Sequence, residues 1–139
     1  MSDPHYATML HRWFDEVWNQ GREEAIDEML AADFIAHGLG DGPDNDLVGP
    51  AAFKPFFRKF RGAFPSIRIT VEETISEGDR IAARCTVHAI HDGEGFGILP
   101  TNNVIHFSGL AIVHLRDGKF TEAWNNFDFA TMYHQLAAK

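Results

Sequence analysis

Asp128 is the residue of this sequence whose type and position best suit chemistry, because it ends an aromatic, strand-like segment that begins at Phe120. Alternate residues of a strand face the same side, so Glu122, Trp124 and Asp128 are expected to share a face with Phe120. A carboxyl group beside an apolar wall loses hydration, its pKa rises, and it can act as an acid or base near neutral pH. The competing interpretation is that Asp128 caps a helix that begins directly after it.

His106 is the second candidate, because the hairpin around Asp117 and Gly118 decides whether it meets Asp128. A three-residue loop with a left-handed Gly118 puts His106 directly opposite Asp128. A two-residue turn puts the two side chains on opposite faces of the sheet. A carboxylate partner would fix the tautomer of the histidine and raise its pKa. Without that partner, His106 is a lone histidine on a sheet surface.

His37 is the third candidate, at the end of a short extended segment and before a loop rich in Gly, Pro, Asp and Asn. At the mouth of a pocket it could bind a ligand carbonyl, whereas a loop histidine needs no function. The eight histidines form no metal motif, since His88 and His91 lie three apart on a strand and face opposite sides. We therefore expect no metal and, because the sequence has no P-loop and no GxGxxG motif, no other cofactor.

The spacing of apolar residues changes along the chain, and this change predicts the elements that position these three candidates. Apolar residues at three- and four-residue steps predict helices over residues 6–18, from residue 22 to 30, and from Pro50 to a stop at Pro65. Apolar residues at every second position then predict strands, and helical spacing of apolar residues resumes after Asp128. This order predicts an α+β fold: a cone-shaped, curved antiparallel or mixed sheet, three N-terminal helices that close a pocket, and a short C-terminal helix.

Composition limits the classes of function. With 139 residues we expect one domain over 1–139, large enough for a core. The net charge of −8 argues against binding to nucleic acid or to an anionic membrane. Cys85 is alone, so no intrachain disulfide is possible. No signal peptide and no membrane span is evident, and we expect a cytoplasmic protein.

Several segments together resemble one known family over nearly the whole chain. The sequence is similar to the SnoaL-like polyketide cyclase and ester cyclase proteins, which have the nuclear transport factor 2-like fold. The segments are WNQG at 18–21, LAADFIAH at 30–37, AFP at 63–65, EGDRIAAR at 77–84, HDGEGFGILPT at 91–101 and DGKFTEAW at 117–124, followed by Asp128. The chain departs from the family pattern at Leu99, at Asn102 and at the pair Ala89-Ile90.

This resemblance implies a chemistry and an assembly. The family's cyclases close polyketide rings by an intramolecular aldol reaction without metal or organic cofactor, and their acid/base residue corresponds to Asp128. Two family histidines correspond to His37 and His91. Relatives pair through an open sheet face, so we expect a homodimer, with a face that we expect to be covered by Ile105, Phe107, Val113 and Leu115.

Three hypotheses follow. The first is an acid/base enzyme for a small hydrophobic carbonyl compound, with Asp128, His37 and His106 as catalytic residues. We expect its substrate contacts at Trp124, His91, Glu122, Trp18 and Phe57. The second is a non-catalytic module that binds a small hydrophobic ligand in the same cone, with Asp128 only as a cap. The third is a structural or dimerisation domain whose cone is filled by its own phenylalanines.

Overall fold

The computed structural model describes residues 4–40 and 45–138, with side chains from residue 7 onward. Two helical segments come first, two strands precede the third helix, and four longer strands and a last helix follow it. The helices are α1 (Pro4–Arg12), which continues as a π-helix (Trp13–Asn19), α2 (Glu24–Met29), α3 (Pro50–Ala63) and α4 (Phe129–Ala137). The strands are β1 (Leu30–His37), β2 (Asp46–Val48), β3 (Arg68–Glu77), β4 (Arg80–Ile90), β5 (Val104–Arg116) and β6 (Lys119–Phe127).

The six strands form one mixed sheet in the order β2-β1-β6-β5-β4-β3. Only β1 and β6 pair in parallel, and the other neighbours are antiparallel. The short β2 was not predicted, because its three residues lie inside the segment that the sequence marks as a loop. It forms by pairing with β1, where His37 lies opposite Asp46. The α+β architecture with an open, curved sheet is thus confirmed.

The hydrophobic core lies between the sheet and the helices. Helix α3 turns Phe53, Phe57 and Phe60 inward, and strands β4 and β5 turn their odd-numbered residues inward. Ile105, Phe107, Val113 and Leu115 are therefore buried in this core. The expectation that these four residues cover a dimer face is wrong, since the face of β5 turned away from the helices carries the even-numbered residues instead. We call this other side of the sheet the outer face.

The β5–β6 hairpin contains the feature that decides which residues of β6 face the core. Asp117 and Gly118 both have positive φ, at 53° and 76°, so they form the two-residue turn. The ladder starts in that register, with Leu115 opposite Phe120, and then shifts so that His114 lies opposite Glu122. Thr121 is the extra residue of a β-bulge. Beyond it, every side chain of β6 faces the opposite side from the one that the turn alone would give.

Candidate functional site

An apolar cavity lies between the curved sheet and the helices. Helical residues Trp13, Trp18 and Phe60 line one side, and strand residues Ala111 and Phe120 line the other. Four partly exposed apolar side chains of the lining mark its mouth: Leu39, Phe56, Phe127 and Phe129. The cavity volume is about 70 Å³. An engineered cavity of about 150 Å³ holds a benzene molecule, so this space accepts one small apolar group unless side chains of the lining move.

Asn125 is the one polar side chain that lines this cavity within the described residues. The bulge at Thr121 turns it inward, together with Ala123 and Phe127. Its Nδ2 donates a hydrogen bond of 3.0 Å to the main-chain oxygen of His37. The second N–H of the amide and the Oδ1 oxygen have no hydrogen-bond partner among the residues described. Asn125 therefore offers a ligand one donor and one acceptor at the edge of an apolar space.

Asp128 lies outside the cavity, on the exposed outer face. It caps α4: its carboxylate accepts hydrogen bonds from Thr131 N at 3.0 Å and from Thr131 Oγ1 at 2.6 Å. These bonds, first that from the hydroxyl and then that from the backbone, lower the pKa of Asp128. The prediction of an acidic side chain with a raised pKa in an apolar hollow is wrong, because the bulge turns this end of β6 outward. The alternative of a helix cap is the one that the structure shows.

His106 does not meet Asp128 either. Its strand partner is His88, with the two rings stacked at a centroid distance of 4.2 Å. After the bulge, the shifted register of the hairpin places Phe127 of β6 opposite Gly109 of β5. Asp128 then reaches only the main chain of Ser108, to whose oxygen its N–H donates at 2.9 Å. His106 is an exposed histidine of the outer face.

His37, Glu122 and Trp124 come together, but on the outer face and not in the cavity. The ring of His37 lies between two carboxylates, with Nδ1 at 2.7 Å from Asp46 Oδ1 and Nε2 at 2.6 Å from Glu122 Oε2. It stacks on Trp124 at a centroid distance of 5.1 Å. The hydrogen bond to Glu122 raises the pKa of His37 most, burial opposes it, and Asp46 raises it further. The expectation that these side chains face a pocket with Phe120 is wrong, since the bulge separates them from it.

The remaining predicted substrate contacts, Trp18, Phe57 and His91, differ in where the structure places them. Trp18 lines the cavity, as expected, and Phe57 packs against it at 5.5 Å without reaching the lining. His91 is fully buried behind Phe64 and does not line the cavity. Its Nδ1 accepts a hydrogen bond of 3.2 Å from Thr101 N, so it fixes the loop that follows β4. The predicted ligand contact of His91 is thus wrong in this structure, because its ring serves this loop.

Comparison with known proteins shows to which family the chain belongs. The model of the SnoaL-like polyketide cyclase family matches residues 8–136. The chain belongs to this family. Among solved structures, IdmH of Streptomyces antibioticus, with a suggested polyketide cyclase activity, is 26% identical with a TM-score of 0.82, covering 96% of this chain and 99% of IdmH. A SnoaL-like protein of Jannaschia sp. CCS1 is 20% identical with a TM-score of 0.85, over 100% and 98% of the two chains, and shows the fold alone.

A protein of Bacillus cereus ATCC 10987, also with a suggested polyketide cyclase activity, is 26% identical with a TM-score of 0.79, over 98% of this chain and 88% of that one. A comparison with curated proteins gave no match. No helix in the described part of the chain is long and apolar enough to span a membrane. Residues 4–40 and 45–138 contain no group of three or more His, Cys, Asp or Glu side chains placed to hold a metal ion.

Sequence reasoning missed the polar residue of this SnoaL-like cavity. Asn125 follows Trp124 directly, and strict alternation from Phe120 assigns it to the opposite face. The inward positions of β6 are Phe120, Ala123, Asn125 and Phe127, which is an alternation broken once at Thr121. A threonine fits a regular strand as well as a bulge, so the residue types alone carried no signal for the break.

Proposed function

We propose that this SnoaL-like protein binds a small hydrophobic carbonyl compound in its cavity, and that Asn125 holds the carbonyl oxygen. The observation that carries the proposal is the composition of the lining, which is apolar apart from Asn125 over the described residues. No carboxylate, histidine or cysteine lines the cavity in that part of the chain. The arrangement therefore supports binding and orientation better than proton transfer by a side chain of the cavity.

Asn125 can hold a carbonyl oxygen with its free N–H. The amide already gives one N–H to the oxygen of His37, which orients it. Its second N–H can donate to an oxygen acceptor, and a ligand carbonyl is an acceptor whose transfer into an apolar space requires such a donor. The rest of the ligand must be apolar, since side chains such as Trp18 and Phe60 offer no acceptor on the surfaces that they present.

An NMR titration tests this proposal. Acetophenone and α-methylstyrene have nearly the same shape, but only the first has a carbonyl oxygen. Both are larger than the cavity of about 70 Å³, so either one enters only when partly exposed side chains of the mouth, such as Phe56 and Phe127, move outward. We expect acetophenone to bind about tenfold more tightly, as one buried hydrogen bond would give, and to shift the side-chain amide signal of Asn125. In Asn125→Leu the preference disappears. In the matched control Asn126→Leu, on the exposed outer face, it remains.

Two results would contradict the proposal: equal affinity of the two compounds in the unchanged protein, or a preference that survives in Asn125→Leu. Circular dichroism of each variant shows that it has folded. A shift of the Asn126 signal alone would place the ligand on the outer face and would also contradict the proposal.

A cyclase reaction is the second candidate, because the chain belongs to a family named for polyketide cyclases. An aldol cyclisation removes a proton next to a carbonyl and stabilises the resulting enolate oxygen. Asn125 could donate a hydrogen bond to that oxygen, but an amide is no base. We expect no exchange of the methyl protons of acetophenone in deuterated water above the rate in buffer. Exchange that depends on the protein and is lost in Asn125→Leu would favour the enzyme.

We further propose a homodimer through the outer face of the sheet. This face carries exposed Leu110 and Ile112 on β5 and Trp124 on β6, with 56%, 47% and 37% exposure. Glu122 and Asp128 also lie on this face, where their carboxylates are hydrogen-bonded to His37 and Thr131, and this pairing reduces the repulsion that they add between two copies of a chain with net charge −8. A two-fold axis would bring the same apolar side chains of both copies together.

Sedimentation equilibrium tests the assembly. The unchanged protein is expected at twice the chain mass, and Ile112→Glu at the chain mass. The matched control is Leu99→Glu in the loop between β4 and β5, outside the sheet, where Leu99 is 78% exposed, and it keeps the dimer. A monomer in the unchanged protein at micromolar concentration would contradict this proposal, and so would a dimer in Ile112→Glu. A cytoplasmic location stays a prediction from the sequence.

A further inference from the structure

We propose that His37 is a positioning residue for Asn125: its main-chain oxygen holds the amide, and its ring fixes the strand that carries this oxygen. The inference rests on the proposed function of Asn125. It adds that a side chain on the outer face of the sheet determines how the Asn125 amide is oriented. It differs from the role expected from the sequence, in which the ring of His37 would contact the ligand itself.

The link between the two residues is short and direct. Asn125 Nδ2 donates to the main-chain oxygen of His37 at 3.0 Å, and this is the one hydrogen bond of the amide within the described residues. His37 is also the last residue of β1 and lies opposite Trp124 in the parallel ladder with β6. A shift of the end of β1 relative to β6 therefore changes where the free N–H of Asn125 points.

The ring of His37 connects the two strands on either side of β1. Asp46 belongs to β2 and Glu122 to β6, and their carboxylates lie 2.7 and 2.6 Å from the two ring nitrogens. While both carboxylates are ionised they only accept hydrogen bonds, so both ring nitrogens then donate and the ring carries two protons. Both bonds are charge-assisted, which makes them stronger than bonds between neutral groups. The doubly protonated ring thus holds β1 to both neighbours at the level of Asn125.

Loss of one proton from this ring removes one of these two connections. A neutral imidazole has one N–H and one lone pair, and the lone pair would face a carboxylate oxygen. The charged and titratable groups that face the ring are Asp46 from β2 and Glu122 from β6. His114 from β5 lies opposite Glu122, and its ring is 4.8 Å from that of Trp124 between centroids. No titratable side chain lines the cavity in the described part of the chain. Dependence of the site on pH near neutrality is thus expected to come from His37.

The first experiment follows the side-chain amide of Asn125 by NMR in the protein without ligand, from pH 5.5 to 9.5. We expect its proton shift to follow the titration of the His37 ring, and to be independent of pH in His37→Gln. In Glu122→Gln the midpoint moves to lower pH, because a neutral amide stabilises the imidazolium less than a carboxylate does. In the matched control His106→Gln, a histidine of the outer face that pairs with His88 and not with Glu122, the titration is unchanged.

The second experiment measures the affinity for acetophenone over the same pH range, with the oligomeric state checked at each pH. The affinity is expected to fall by about tenfold as the ring loses its proton, and to stay low and constant in His37→Gln. A purely structural histidine would lower the melting temperature without moving either readout.

The outcomes separate the two proposals. An Asn125 signal that does not titrate, or that still titrates in His37→Gln, would overturn the role of His37, whether or not acetophenone binds. If the signal titrates as expected but acetophenone does not bind at any pH, the proposed function fails and the coupling between His37 and Asn125 stands. Binding that is independent of pH overturns the role of His37 in affinity and leaves the proposed function intact.

Discussion

The free space of the cavity leads to a quantitative prediction for Ala111→Val. Ala111 lies in β5, is 3% exposed, and lines the cavity. A cavity of about 70 Å³ costs about 1.7 kcal/mol of stability at about 24 cal/mol per Å³. The two added carbon atoms contribute about 1.6 kcal/mol if both are buried without strain, at about 0.8 kcal/mol each. We expect the free energy of unfolding to rise by about 1 kcal/mol after some loss to imperfect fit.

The same substitution removes space that the ligand needs. We expect the affinity for acetophenone to fall at least about tenfold in Ala111→Val, since the added methyl groups exclude part of the phenyl ring. Urea unfolding gives the stability, and NMR titration gives the affinity. The matched control is Ala82→Val on the outer face of β4, opposite Ile112, which adds the same side chain to a strand away from the cavity. It keeps the affinity. Because Ala82 lies on the proposed dimer face, its stability is compared at a concentration at which the unchanged protein and both variants are monomers, and the difference then gives what valine contributes to a strand by itself.

Two results would refute this reasoning. A loss of more than about 1 kcal/mol in Ala111→Val, with Ala82→Val unchanged, would mean that the cavity has no room beside Ala111. Unchanged affinity in a stabilised Ala111→Val would mean that acetophenone binds somewhere other than in the cavity.

Three further predictions concern groups outside the cavity. Asp128→Ala is expected to lower the melting temperature and Asp128→Asn to leave it nearly unchanged, because Asn also caps helices; neither changes acetophenone affinity, and a loss of binding in Asp128→Asn would contradict the structure. Because the pKa of His37 is raised, its contribution to stability is full below its ordinary pKa of about 6.5 and is lost as pH rises through the raised value. Urea unfolding should therefore separate His37→Gln from the unchanged protein more at pH 5.5 than at pH 9.5, and an equal difference would contradict this. Burial raises the pKa of Cys85 to about 12, so a thiol reagent at pH 8 should modify it only in urea, and rapid reaction of the folded protein would be the contrary result.

The sequence predicted the elements that depend on regular periods. Helix α3 follows from its apolar spacing and Pro50, and the five inward residues of β4, Ile81, Ala83, Cys85, Val87 and Ala89, follow strict alternation. Hydrophobic burial enforces such patterns at every step along an element, so local sequence suffices to recognise them. The fold class followed from the order of these elements.

The candidate site could not be predicted in the same way, because one residue in β6 breaks the alternation. The choice of the two-residue turn at Asp117 and Gly118 was open from the sequence, and that turn alone would have turned Asp128 toward the core. The bulge at Thr121 reverses this result and brings Asn125 inward. It has no glycine and no proline to mark it, and it depends on the pairing of β6 with two neighbouring strands.

The His37 cluster was beyond the sequence for a related reason. Asp46 belongs to β2, which has only three residues and forms through its pairing with β1. Glu122 reaches His37 across the one parallel pair of the sheet, 85 residues away in sequence. Such contacts depend on tertiary pairing, and no local pattern of residue types predicts which carboxylate meets which histidine.

A crystal structure with 4′-bromoacetophenone tests the central claim most directly, because the anomalous signal of bromine locates the ligand without ambiguity. The account predicts bromine among the apolar residues of the cavity and the carbonyl oxygen within hydrogen-bond distance of Asn125 Nδ2. Bromine found only in the outer groove beside Arg84, Leu110 and Asp128, with the cavity free of ligand, would contradict it.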